Sequence, residues 1–228
     1  MLSPITVLVL INCLPLYFIL AFGWDAGELI RIYWAENLVV GFYYILKLIC
    51  VKLDDPAMNM GKFFLVPFFL VHFGGFCAVH GIFVFALTSG TEGIDQFMNS
   101  VSFSQWPGPL IFVGLLVNVI THFFRNASPG ELLMVKMLFI SHGFSFYMNF
   151  IKSGEWKAQA PKDLMAAPYQ RIMLLHIVIL AGAAPVMYLR SPVPLVVLLV
   201  VIKVVMDIRL HKASHEKIQK QQEAPASH

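Results

Sequence analysis

The sequence predicts an all-α integral membrane protein, a bundle of about seven transmembrane helices, and three observations carry that reading. The 228-residue chain is 58% hydrophobic and only 13% charged, about half the charge that covers a soluble domain. Its apolar residues fall into runs near the ~20 residues needed to cross a bilayer. Between the runs stand proline, glycine and capping residues rather than strand-and-turn patterns.

Seven runs qualify: 4–23, 28–50, 62–88, 108–125, 130–152, 168–189 and 193–212. The first has no basic residue before it and holds Pro15, so it reads as a retained span rather than a cleaved leader. The second follows Asp25-Ala-Gly-Glu28 and the fifth follows Ser128-Pro-Gly-Glu131. Both place a side-chain acceptor three residues before a carboxylate, the pattern of a capping box. Pro129 suits a first helical turn, and Pro107, Pro168 and Pro192 mark further starts. The stretch 89–107 carries Glu92 and Asp95 without Lys or Arg, and Phe97, Phe103 and Trp106 predict a loop lying in the membrane interface. The segment 153–167 is the most polar linker. Residues 1–212 form one transmembrane domain, and 213–228 are a polar, basic tail expected to be disordered.

Lysine and arginine placement sets orientation. The tail and the 153–167 linker, with the span ends beside them, contribute Lys152, Lys157, Lys162, Arg171, Arg209, Lys212, Lys217 and Lys220, which predicts a cytoplasmic C-terminus in the cell inner membrane; the positive 47–62 segment argues the other way. A net charge of +3 is in keeping with the lipid bilayer as partner and gives no case for nucleic acid. The three cysteines, Cys13, Cys50 and Cys77, form neither a disulfide framework nor a metal knuckle.

Chemical content lies in ionisable residues at membrane depth, where each is costly and is kept for a purpose. Span two carries Glu36, which needs a proton, a cation or a metal; Lys136 is one candidate cation. Span three carries His72 and His80 among Gly74, Gly75 and Gly81. Eight residues put the two imidazoles ~12 Å apart along a helix and ~80° apart in rotation, so a straight helix cannot bring both to one ion; the glycines read as close packing. In span five His142, Ser145 and Asn149 share a face, and span six adds His176. Span seven presents Lys203, Asp207 and His211 at four-residue spacing, and Asp-x-x-x-His can offer two ligands to one metal. Depth sorts these residues into an inner group of Glu36, His80, Asp207 and His211, and a midplane group of His72, His142 and His176.

That set predicts a divalent-metal site, zinc first, with His72, His80, His142, His176, Asp207 and His211 as ligand candidates. Glu36 would act as general base of a hydrolase on a lipid-like substrate. Two other readings stay open. One is a proton-coupled transporter of a small solute or metal ion, with Glu36 and the histidines titrating. The other is a non-catalytic membrane partner or assembly protein whose polar residues are interhelical glue.

Seven spans, with Asp207-x-x-x-His211 on one face of the last, resemble the superfamily of progestin/adipoQ receptors, haemolysin III proteins and alkaline ceramidases. That resemblance implies an inner-leaflet zinc site and lipid amide hydrolysis. It departs from the superfamily at Asp207, where the superfamily has histidine, and in lacking its early Ser/His pattern on span two. The chain as a whole also resembles bacterial membrane proteins of the domain-of-unknown-function kind, which imply no activity.

Overall fold

The computed structural model describes residues 13, 16–17, 19–52, 56–89, 95, 99, 106–157 and 160–206. Among them the helices are α1 (Ala26–Cys50), α2 (Pro56–Thr88), α3 (Ile111–Asn126, entered by the 3₁₀ turn Gly108–Leu110), α4 (Pro129–Ser145), α5 (Pro161–Ala166), α6 (Tyr169–Leu189) and α7 (Val193–Met206). All-α is therefore correct.

The count of seven membrane spans is not. Among the described residues four helical stretches are long and apolar enough to cross a membrane: Ala26–Cys50, Gly61–Thr88, Gly108–Asn126 and Pro161–Leu189. These make the chain a multi-pass membrane protein. α4 has 17 residues before the backbone widens into the π-type turns Phe146–Lys152, and Val193–Met206 is shorter than a span. The expected span 4–23 lies largely outside the described residues, as do Asp207, His211 and the whole tail.

Capping chemistry explains where the helices begin. Asp25 Oδ1 accepts from Gly27 N at 2.7 Å. Ser128 and Glu131 form the full reciprocal box: Glu131 N donates to Ser128 Oγ at 3.1 Å, and Ser128 N donates to Glu131 Oε2 at 2.8 Å. Each exchange satisfies N–H groups that a helix start leaves without partners.

α1 and α2 are the centre of the bundle. Trp34 is fully buried and donates its indole N–H to Cys77 O at 2.8 Å, while Phe85 and Phe123 meet its ring edge-on. Gly81 lets this happen: a Cβ there would stand 2.6 Å from Val119 and 2.8 Å from Trp34. The glycines of α2 thus serve packing, as expected. Large apolar residues elsewhere are exposed, Phe63 and Tyr188 by more than four-fifths, which is what a lipid-facing wall requires.

α2 and α3 share one direction. α3 lies against α2 with Phe112 at Gly75, Val119 at Gly81 and Phe123 at Phe85, so the two run parallel. Ser89 follows the end of α2, whereas Pro109 sits beside Val71 and His72. Sixteen residues separate His72 from Thr88, roughly 24 Å of helix. The interface loop expected at 89–107 lies largely outside the described residues.

The remaining contacts fix which ends meet. Arg31, near the start of α1, pairs with Glu131 at 2.7 Å and donates to Thr88 Oγ1 at 3.3 Å. At the opposite end Lys52 N donates to Trp156 O at 2.8 Å. α4 turns one fully buried side chain inward, Glu131, and shows lipid a face that includes Leu133, Met137, Ile140 and Phe144. Polar anchors at Glu131 and His142, with Val135 and Phe139 packed between them, hold it to the bundle.

Candidate functional site

The site forms where α1, α4 and α6 meet. Glu36 lies partway along α1 and is about one-fifth exposed. Its Oε2 takes a 2.5 Å ion pair from Arg171 of α6, and its Oε1 faces His142 Nε2 of α4 at 3.3 Å. Lys203 of α7 adds positive charge within electrostatic reach. Arg171 and Lys203 thus offset the carboxylate's charge and His142 adds a hydrogen bond, which meets the cost of an ionised group at this depth. The cation expected at Lys136 is elsewhere: that residue is exposed, and Arg171 has its place.

Neighbouring rings orient the partners. The Arg171 guanidinium sits 5.4 Å above the Tyr33 ring, within cation–π range. Tyr43 stacks on His142 and donates its hydroxyl to Phe139 O at 2.9 Å. Gly143 makes room for that hydroxyl, since a Cβ there would come within 2.6 Å of it. Arg171 offers Glu36 a terminal nitrogen, while its buried Nε has no hydrogen-bond partner.

Beside this triad opens a cavity of about 250 Å³. Lys47, His142, Ser145 and Arg171 give its wall polarity, and Tyr43 and Tyr44 add ring faces. Lys47 rests over the Tyr44 and Phe150 rings at 4.8 and 5.4 Å. Ser145 also accepts from Asn149 at 3.1 Å, so the predicted polar stripe of α4 does face the cavity in part.

A second polar contact joins α2 to α6. His80 Nδ1 lies 2.7 Å from Phe76 O, and His80 Nε2 lies 3.0 Å from His176 Nδ1. A carbonyl only accepts, so Nδ1 of His80 carries the hydrogen. In the neutral pair His176 Nδ1–H then donates to His80 Nε2, leaving the lone pair of His176 Nε2 as the basic position. His72 takes no part: it is exposed, with Nδ1 2.6 Å from the Tyr169 hydroxyl, and it borders a larger apolar groove.

The metal centre is a correction. Among the described residues no three His, Cys, Asp or Glu side chains gather where one ion could bind. His80 meets His176, His142 meets Glu36, and His72 meets Tyr169, so the imidazoles are shared out in pairs. The zinc-type cofactor, the metal-binding role and the metal-dependent hydrolase fall with that geometry. The predicted depth layers are also crossed, because His80–His176 and His142–Glu36 each join one residue assigned to the inner group with one assigned to the midplane.

Arg171, Lys47 and the two tyrosines were not singled out from the sequence. A signal was present. Arg171 stands in the first turn of a long apolar helix after Pro168, and a guanidinium there needs an anion as much as Glu36 needs a cation. A family model described as a family of unknown function (DUF6498) matches residues 2–224. No curated protein matches the chain, and no solved structure matches it.

Proposed function

The chain belongs to DUF6498, a family of unknown function, and for this member we propose proton-coupled transport of a small solute across the bilayer. The observation that carries it is Glu36 held between a permanent cation, Arg171, and a titratable one, His142, at the wall of a polar cavity. A carboxylate kept only for structure needs one cation. This one has a second partner, an imidazole with a ring nitrogen still open to a proton, so the triad can take up and release a proton without stranding an unpaired charge. His142 already presents Nε2 to the carboxylate, and its Nδ1 is where an arriving proton adds.

The end of the bundle that carries Lys47, Lys52, Lys62, Lys152, Lys157 and Lys162 is the cytoplasmic one under the positive-inside rule. The contact between Lys52 and Trp156 supports this by bringing the 47–62 segment to the same end as the 153–167 linker, which removes the conflict between them. The cavity lies toward this lysine-rich end, between Lys47 and Pro168.

The test is proton movement into liposomes that contain the full-length protein and trapped pyranine. Organic anions, amino acids, sugars and divalent cations are each added outside, with protein-free liposomes as the blank. At least one class drives proton entry through the wild type, and Glu36→Gln abolishes it while still unfolding in one cooperative melt. Proton entry with none of them, or equal entry through Glu36→Gln, overturns the proposal.

A further inference from the structure

The chemistry of the cavity wall indicates what it takes. Its charged and titratable lining is Lys47, Arg171 and His142, with no carboxylate among the lining residues. Lys47 rests on aromatic rings, with no carboxylate in ion-pair contact among the described residues. Arg171 is already paired, but incompletely, its Nε being left without an acceptor. The rest of the wall is apolar or aromatic: Val40, Phe146, Ala167 and Pro168 beside the tyrosine rings. Two cations in a wall otherwise rich in hydrocarbon fit a small organic carboxylate better than a fully hydrated inorganic anion, whose desolvation hydrocarbon does not repay.

We propose that this cavity binds a small monocarboxylate with an apolar body, and that Glu36 couples its binding to that of one proton by competing with it for Arg171. While Glu36 is ionised it holds the guanidinium. A proton on the Glu36–His142 pair weakens that hold, and Arg171 turns its charge and its free Nε to the incoming carboxylate. Carboxylate and proton then load together, and the charge change of one cancels that of the other. Other charged or titratable groups facing the pair are Lys203 from α7, Arg171 from α6 and Tyr43 from α1, which stacks on His142; Lys47 and Tyr44 line the same cavity, and Glu155 of the 3₁₀ turn Glu155–Lys157 acts on both. Apart from His142, none of these is a group whose unperturbed charge changes between pH 5 and 8.

The inference rests on the proton-coupled reading, and one experiment separates the two. Radiolabelled benzoate is equilibrated by dialysis against the detergent-solubilised full-length protein across pH 5 to 8. One saturable site is expected, its affinity falling by up to about tenfold per pH unit as the coupled proton is lost. Lys47→Met removes the site while leaving the melting temperature unchanged. Glu36→Gln binds at every pH, because Arg171 is no longer held. Absence of saturable benzoate binding overturns the carboxylate assignment and leaves proton coupling to be judged by the liposome assay. Saturable binding that ignores both pH and Glu36→Gln keeps the carboxylate site and overturns the coupling. Displacement of benzoate by phosphatidylglycerol in nanodiscs, or by inorganic phosphate at equal concentration, assigns the pocket to a phosphate-bearing ligand and overturns the proposal.

Discussion

Replacing Glu131 by methionine separates a structural ion pair from the functional one. Glu131 is 1% exposed and holds Arg31, itself 15% exposed, at 2.7 Å. Taking one partner from a buried pair costs about 3–5 kcal/mol, mostly for the charge left behind. Asp25 stands 3.7 Å from the same guanidinium but is half exposed, so it relieves part of that cost and the lower figure, about 3 kcal/mol, applies. The lost bond from Ser128 N to Glu131 Oε2 adds about 1 kcal/mol as a damaged helix cap. The sum, about 4 kcal/mol, lowers the melting temperature by roughly 8–16 °C for a chain of this size. Thermal unfolding in detergent, followed by tryptophan fluorescence, reads it directly. Glu131→Gln keeps an acceptor for Ser128 N and loses about 1 kcal/mol less. The double variant Arg31→Met/Glu131→Met buries no charge and regains most of the loss. A shift under ~2 °C for Glu131→Met, or a double variant no more stable than the single one, would refute the reasoning.

Three further outcomes follow from packing. Gly81→Ala drives a methyl into Val119 and Trp34 and costs about 1–3 kcal/mol, visible as a lower melting temperature; no change would mean α2 and α3 slide apart freely. Trp34→Phe forfeits the bond to Cys77 O and part of a fully buried ring, about 1–3 kcal/mol, read in the same melt. Gly143→Ala pushes the Tyr43 hydroxyl off Phe139 O and is expected to weaken benzoate binding several-fold. Its effect on the melting temperature stays within about 2–4 °C, since one neutral hydrogen bond is worth about 1 kcal/mol.

Helix starts were legible in the sequence because their chemistry is local. Asp25 and Ser128 lie two or three residues from the groups they cap, and that spacing survives any tertiary arrangement. The ionisable residues that matter were mostly legible too, since lipid makes each of them expensive wherever it lies. Their pairing was not. Whether His142 meets His176 or Glu36 depends on which helices run parallel, and nothing within a single apolar run records that. The same gap explains the metal prediction: six ligand-type side chains in four spans look convergent when every span is imagined as facing one chamber. Arg171 was counted among the orientation-setting charges because it follows the polar linker, although its place within an apolar helix makes it the counterion that Glu36 requires. The count of spans failed for a related reason. A 17-residue helix ending in wider π-type turns has the composition of a span without its regular length.

The shared direction of α2 and α3 bears on how the molecule is made. Consecutive segments that enter a bilayer as a hairpin can pack as soon as the second arrives, but α2 and α3 share a direction, and α3 packs only once it has entered in that same sense. Until then the notch cut by Gly75 and Gly81 fills with acyl chains instead of Phe112 and Val119. A nascent chain halted after Thr88 would therefore carry a lipid-filled groove through its centre, and Trp34 emission from such a stalled product would report when the late arrival seals it.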